Sequence, residues 1–221
     1  VDCYPTPAAF SEAFRKFVGQ IPAEGMLVAC ADDAGALALT TATVPGVRIE
    51  TYGLAESSDW QARALAPNAQ GGFDAEVWHD GSHVANLSLP VPGRHNVRNA
   101  LAALAVANWH QIKPRLAAKM LHDFHGAGRR FEFIGEAGGV IVIDDYAHHP
   151  TEVAATLSAA RLRYPTRRIW AVFQPHTYSR VESLYDEFLG CFDDADVVAV
   201  LDVYAARSRE VPTWSARDLA A

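Results

Sequence analysis

The second half of the chain alternates short apolar strands with helices, and this order constrains its fold more than any other feature. Strands are predicted at 131–134, 139–143, 168–173 and 196–201, with helices at 151–163 and 181–191 among them. A strand–helix–strand order requires parallel strands, because each helix carries the chain back across a sheet face. In open sheets of this kind ligands sit beyond the carboxyl ends of the strands. Three strand ends here are polar. Ile143 runs into Asp144-Asp145-Tyr146-Ala147-His148-His149-Pro150-Thr151-Glu152, and Phe173 into Gln174-Pro175-His176-Thr177-Tyr178-Ser179-Arg180. Leu201 runs into Asp202-Val203-Tyr204-Ala205-Ala206-Arg207. Equivalent strand ends, each with His or charge, converge on one cleft in such a fold.

The first half has a different texture. Residues 7–18 place Phe10, Phe14, Phe17 and Val18 on one helical face, with Pro7 near its start. Short strands are expected at 26–30 and 47–52, with a helix at 33–40 between them. Segments 61–66, 73–79 and 83–89 alternate partly and are separated by Gly71-Gly72 and Asp80-Gly81, which predicts an antiparallel excursion. Residues 96–109 carry the clearest helical pattern, and a second helix is expected at 114–124. Gly126-Ala127-Gly128 then forms a joint, which divides the chain into 1–127 and 128–221.

Composition removes several classes of function. A net charge of −7 argues against a nucleic-acid partner, since phosphate binding needs a basic face. No apolar run approaches the roughly 18–20 residues of a membrane span, and no signal-peptide pattern opens the chain, so no membrane partner is expected. The three cysteines, Cys3, Cys30 and Cys191, are far apart and fit neither a disulfide scaffold nor a four-ligand zinc site. A reducing cytoplasm suits them, with Cys30 and Cys191 in the core. The chain opens on Val1 and stops within an apparent helix at 215–221, which suggests a piece of something longer.

Asn96 and Asn99 lie three apart at a helix start, and two carboxamides so placed can read the edge of a base such as adenine. A helix cap is the alternative. Arg129-Arg130 beside glycines suit phosphate, while an ion pair to Glu132 or another acid is the plainer use. Asp145 can accept from ribose hydroxyls or cap the following helix. His148 and His149 can bond a carboxylate or phosphate; a metal is disfavoured because adjacent histidines point apart. His79, His83, His110, His122 and His125 are scattered and are expected to be structural or at the surface.

The runs PGRHNVRNALAALAVA, GAGRRFEFIG, VIDDYAHHPTEV, FQPHTYSR and DVYAAR, in that order over residues 92–207, resemble the Mur ligase family. AFRKFV, LVACADD and TYGL extend the resemblance over essentially the whole chain. That family joins a UDP-sugar domain, a P-loop ATPase domain and a Rossmann-like domain. The resemblance implies an α/β chain in two parts. Residues 1–127 would be the later half of the central ATPase domain, with a small antiparallel excursion. Residues 128–221 would open the Rossmann-like parallel domain. It implies ATP- and Mg²⁺-dependent amide ligation through an acyl phosphate, with UDP-N-acetylmuramate and L-alanine as substrates, in peptidoglycan precursor synthesis. A muropeptide-recycling relative adding a tripeptide, or a non-catalytic nucleotide- or amino-acid-binding module, are the alternatives.

Carried over by position, Asn96 and Asn99 read adenine with His95 beside them. The resemblance implies that Arg130 would reach the ATP phosphates or ribose and that Asp145 would hold the ribose. By the same resemblance Tyr146, His148, His176 and Arg180 would surround the amino-acid and acyl-phosphate end. Some relatives have Arg where this chain has Thr177. No Gly-x-x-x-x-Gly-Lys-Ser/Thr occurs here, and the family's Mg²⁺ ligands would precede Val1, so no residue is assigned to metal. The resemblance therefore implies a chain that is inactive alone, lacks other domains of its own protein, and has unpaired sheet edges that limit its stability.

Overall fold

Thr6 starts the first element, its hydroxyl accepting the Ala9 amide at 3.1 Å, with Pro7 at the opening helical position of α1 (Pro7–Val18). A computed structural model of the chain describes Tyr4 and residues 6–205. Contacts divide them into one unit ending at His125 and another starting at Gly126. Cys3, Ala206, Arg207 and the expected helix at 215–221 lie outside the described residues.

In the first unit, β1 (Met26–Cys30), β2 (Arg48–Gly53), β3 (Trp60–Pro67), β4 (Phe73–His79) and β5 (Ser82–Leu89) form one five-stranded sheet in that spatial order. β1, β2 and β3 run parallel, and β3, β4 and β5 antiparallel. The antiparallel excursion is thus continuous with the parallel strands. Asp80 and Gly81 take φ of 49° and 72° to turn β4 into β5, the left-handed geometry that a tight hairpin requires. Between β1 and β2 the chain forms α2 (Ala34–Ala38) and a 3₁₀ turn (Leu39–Ala42).

α3 (Arg94–Trp109) and α4 (Pro114–Leu121) complete the unit. Val97, Leu101 and Leu104 of α3 are fully buried in one core with Trp60, Val77, Leu87 and Leu89. The face predicted for α1 is only partly buried. Val18 is covered, whereas Phe10, Phe14 and Phe17 are exposed. Phe10 packs on Phe14 and Tyr4, at ring-centroid distances of 4.8 and 5.7 Å. Helical spacing identified the apolar stripe but not what covers it.

In the second unit, β6 (Glu132–Ala137) and β7 (Val140–Asp144) form an antiparallel hairpin turned by Gly138 and Gly139. α5 (Pro150–Arg163) leads to β8 (Trp170–Phe173). α6 (Tyr178–Ser183) and α7 (Tyr185–Leu189) then lead to β9 (Val197–Val200), which pairs parallel with β8.

Two expectations are corrected here. The parallel sheet expected in this unit is present among the described residues as the β8–β9 pair, while β7 pairs antiparallel with β6 in a sheet of their own. The helix expected at 181–191 is two short ones, broken at Leu184, whose φ of −123° leaves the helical range. Val153, Leu157, Phe173, Val181, Phe188 and Cys191 form the core of this unit. A cavity of about 790 Å³ is lined by Ile141 and Ile143 of β7 and by Trp170 and Val172 of β8.

Candidate active site

The first unit presents the start of α3. Gly93 occupies the N-cap with φ of 93°, and no side chain caps the helix there. Asn96 instead donates from Nδ2 to the Pro92 carbonyl at 2.7 Å, and Asn99 donates from Nδ2 to Asn96 Oδ1 at 3.4 Å. The two carboxamides are therefore linked on one face, and neither caps the helix through its side chain. His95 folds back onto Gly93, so that a Cβ at Gly93 would lie 2.7 Å from His95 Nδ1.

This turn is anchored from behind. Asp32, just past β1, accepts the Leu54 and Ala55 amides at 3.0 Å and Arg98 Nε at 2.6 Å. Burial disfavours its charge, but the two amides and the guanidinium outweigh this and hold its carboxyl below the ordinary value. The sequence reading did not single out this residue. Its signal was a short acidic side chain at a strand end, within reach of a helix start.

The second unit gathers most of the other candidates. Arg129 and Phe131 have φ of 56° and 51°, an uncommon conformation for non-glycine residues, and the Arg130 turn lies between them. Arg130 pairs with Glu152 at 3.7 Å. Arg129 lies 3.5 Å from Asp144 and 4.6 Å from the centre of the Tyr146 ring. Glu132 accepts the Arg129 amide at 2.6 Å rather than pairing with Arg130. Asp145 accepts the Phe131 amide at 2.9 Å and the Ala147 amide at 2.7 Å, so its carboxylate shapes the loop after β7.

His149 caps α5, accepting the Thr151 amide at Nδ1, and Glu152 returns the bond to the His149 amide at 3.2 Å. Glu152 also accepts the His148 amide at 3.0 Å and lies 3.6 Å from His148 Nδ1. Burial works against the Glu152 charge, but these amides, His148 and Arg130 lower its pKa overall. His148 Nδ1 lies 2.8 Å from the Tyr146 carbonyl. A carbonyl only accepts, so Nδ1 is the donor in this bond.

His176 carries the opposite assignment. Arg180 Nη1 approaches its Nδ1 at 3.3 Å and also bonds its backbone carbonyl. The guanidinium only donates, so His176 Nδ1 is the acceptor in this contact. The His148 and His176 ring centres are 6.0 Å apart. The ends of β7 and β8 therefore bring two imidazoles, Tyr146 and two guanidinium groups into one neighbourhood. His176 also stacks on Tyr204 beyond β9, at 5.3 Å and 14° between ring planes.

Residues 1–107 match the Mur ligase middle domain and residues 129–221 the Mur ligase glutamate ligase domain, and the chain belongs to the Mur ligase family. Within it, the chain is 42 % identical over 210 residues to UDP-N-acetylmuramate–L-alanine ligase of Caldanaerobacter subterraneus, covering 94 % of this chain and 45 % of that protein. It is 45 % identical to the Paenarthrobacter aurescens protein of the same name, covering 96 % and 46 %. The solved UDP-N-acetylmuramate-alanine ligase of Thermotoga maritima superposes with a TM-score of 0.72 at 27 % identity, covering 90 % of this chain and 42 % of that one. A murein peptide ligase from Psychrobacter arcticus gives 0.61 at 27 % identity, covering 87 % and 40 %. The chain thus spans about half the length of the curated relatives it matches.

Among the described residues no helix is long and apolar enough to cross a membrane. No group of three or more His, Cys, Asp or Glu residues is placed to hold a metal ion among them.

Proposed function

We propose that this chain is part of a cytoplasmic ATP-dependent ligase that joins L-alanine to UDP-N-acetylmuramate. The observation that carries the reading is the His148–His176–Arg180 group at neighbouring strand ends, in a sequence whose relatives bear that enzyme's name. Residues 1–127 are read as the later half of a P-loop-type ATPase domain. Residues 128–221 are read as the opening of a Rossmann-like ligase domain.

In this reading the substrate carboxylate attacks the γ-phosphorus of ATP, the bond to the β-phosphate oxygen breaks, and ADP leaves with an acyl phosphate formed. The alanine nitrogen then attacks the acyl carbon, and the tetrahedral intermediate expels phosphate to leave the amide. The nitrogen must shed a proton, and His148 is the base that takes it in this reading. Arg180 uses Nη1 to hold His176, and its guanidinium meets phosphate oxygens in this reading. Arg130 supplies a second cation, and Asp145 receives the ribose hydroxyls. His95, Asn96 and Asn99 receive adenine. Mg²⁺ belongs to this chemistry in the family. The described residues do not form a site for it, so no step is assigned to it here.

The test is a split in kinetic constants measured in the complete ligase carrying this sequence. Asn99→Ala raises KM for ATP by about tenfold and leaves KM for L-alanine unchanged. Arg180→Ala lowers kcat by roughly 10²-fold. A normal rate in Arg180→Ala contradicts the assignment.

A further inference from the structure

The stack of Tyr204 on His176 is the strongest feature of the site that the ligase reading has not used. Beyond Phe173 and Val200 the strand pairing does not stop. Leu201 donates its amide to the Phe173 carbonyl at 2.9 Å, and Tyr204 donates its amide to the Pro175 carbonyl at 2.8 Å. Gln174 Nε2 bonds the Asp202 carbonyl at 3.3 Å, and His176 and Tyr204 form an isolated parallel bridge. The backbone thus carries the β8–β9 register past both strand ends and sets the two rings face to face, at 5.3 Å and 14°.

This contact is not made for burial. Tyr204 stays 56 % exposed, and its ring covers the imidazole rather than the core. The terminal torsion of histidine is broad and roughly two-fold, so a ring held only at one nitrogen can swing. Arg180 fixes His176 Nδ1, and Tyr204 fixes the plane of the ring.

We propose that Tyr204 is a positioning residue that holds the His176 imidazole in one orientation for the reaction, an inference that rests on the ligase reading. It does so through its aromatic face and not its hydroxyl, so phenylalanine replaces it and leucine does not.

Two measurements test this. In the complete ligase carrying this sequence, the carbon-bound ring protons of His176 are followed by NMR in the unsubstituted protein, Tyr204→Phe and Tyr204→Leu. The ring current of a stacked phenol or phenyl holds them upfield. They are expected to move downfield in Tyr204→Leu alone, with its melting temperature close to that of the parent. In the complete ligase, Tyr204→Leu is expected to lower kcat by roughly tenfold with KM for ATP unchanged, and Tyr204→Phe to restore it. His176 resonances that stay in place in Tyr204→Leu overturn the stack. Resonances that move while kcat does not overturn the positioning role. An unsubstituted ligase that is inert with L-alanine overturns the ligase reading, whatever the NMR shows of the stack.

Discussion

Arg98 donates from Nε to Asp32 at 2.6 Å and so ties the first turns of α3 to the end of β1 across 66 residues of chain. Asp32 also holds two amides of the loop after β2, so three separate segments meet on one carboxylate. Replacing it by alanine leaves those donors unpaired, and the expected loss of stability is about 2 kcal/mol by chemical denaturation at neutral pH. The folded protein holds the Asp32 carboxyl below its ordinary value, so its contribution is present above that value and fades as pH falls through the lowered one. The stability gap between the parent and Asp32→Asn is therefore expected to narrow below about pH 4. A gap of constant size from pH 7 to pH 3 contradicts this.

Glu152 closes the start of α5 and the loop that carries His148. Glu152→Gln keeps an acceptor but loses the charge that faces His148 and Arg130. The His148 and His149 amides are expected to exchange with solvent roughly fivefold faster in the variant, without general loosening of β8 and β9. The lowered pKa of Glu152 sets the sign with pH: the parent's protection is present above the ordinary carboxylate range and is lost as pH falls below it.

Gly93 and Gly81 both have positive φ, 93° and 72°, yet their surroundings differ. A Cβ at Gly81 meets nothing within 4 Å, whereas one at Gly93 collides with the His95 ring. Both alanine variants pay for the left-handed backbone, about 1 kcal/mol each. Gly93→Ala is expected to cost more than Gly81→Ala and, alone of the two, to weaken nucleotide use by displacing His95. Equal melting temperatures for the two variants contradict the collision.

Cys191 is buried, and desolvation pushes its thiol up to about 11. It is protonated at neutral pH, so alkylation at pH 8 is expected to be slow in the folded chain and fast in denaturant. Cys30, partly exposed at the end of β1, is expected to react before Cys191. The raised value favours the neutral thiol in the fold, and this contribution is lost as pH rises from about 9 towards 11. Mass spectrometry of peptides from a timed alkylation reads the order directly.

Strand and helix positions were legible in the sequence wherever period and punctuation agreed, as at Asp80-Gly81 and in the Ala- and Leu-rich α3. Sheet membership was less so. Two glycines at 138–139 turn β6 back on β7, a pairing that the strand–helix–strand alternation does not itself specify. The exposed phenylalanines of α1 show the same limit, since a periodic stripe names a face and not its partner. In the site, residue types at strand ends were informative about His148, His176 and Arg180. Which imidazole nitrogen carries a proton depends on the Tyr146 carbonyl and the Arg180 guanidinium, and these are contacts that only the folded loops define.

The account is tested most directly by the amine that the complete ligase carrying this sequence accepts. ADP release is measured with UDP-N-acetylmuramate and ATP present, and with either L-alanine or the recycling tripeptide as the amine. The account predicts ADP formation with L-alanine, none without UDP-N-acetylmuramate, and none from residues 1–221 alone, which carry no P-loop motif. ADP formation that needs the tripeptide and ignores L-alanine contradicts it.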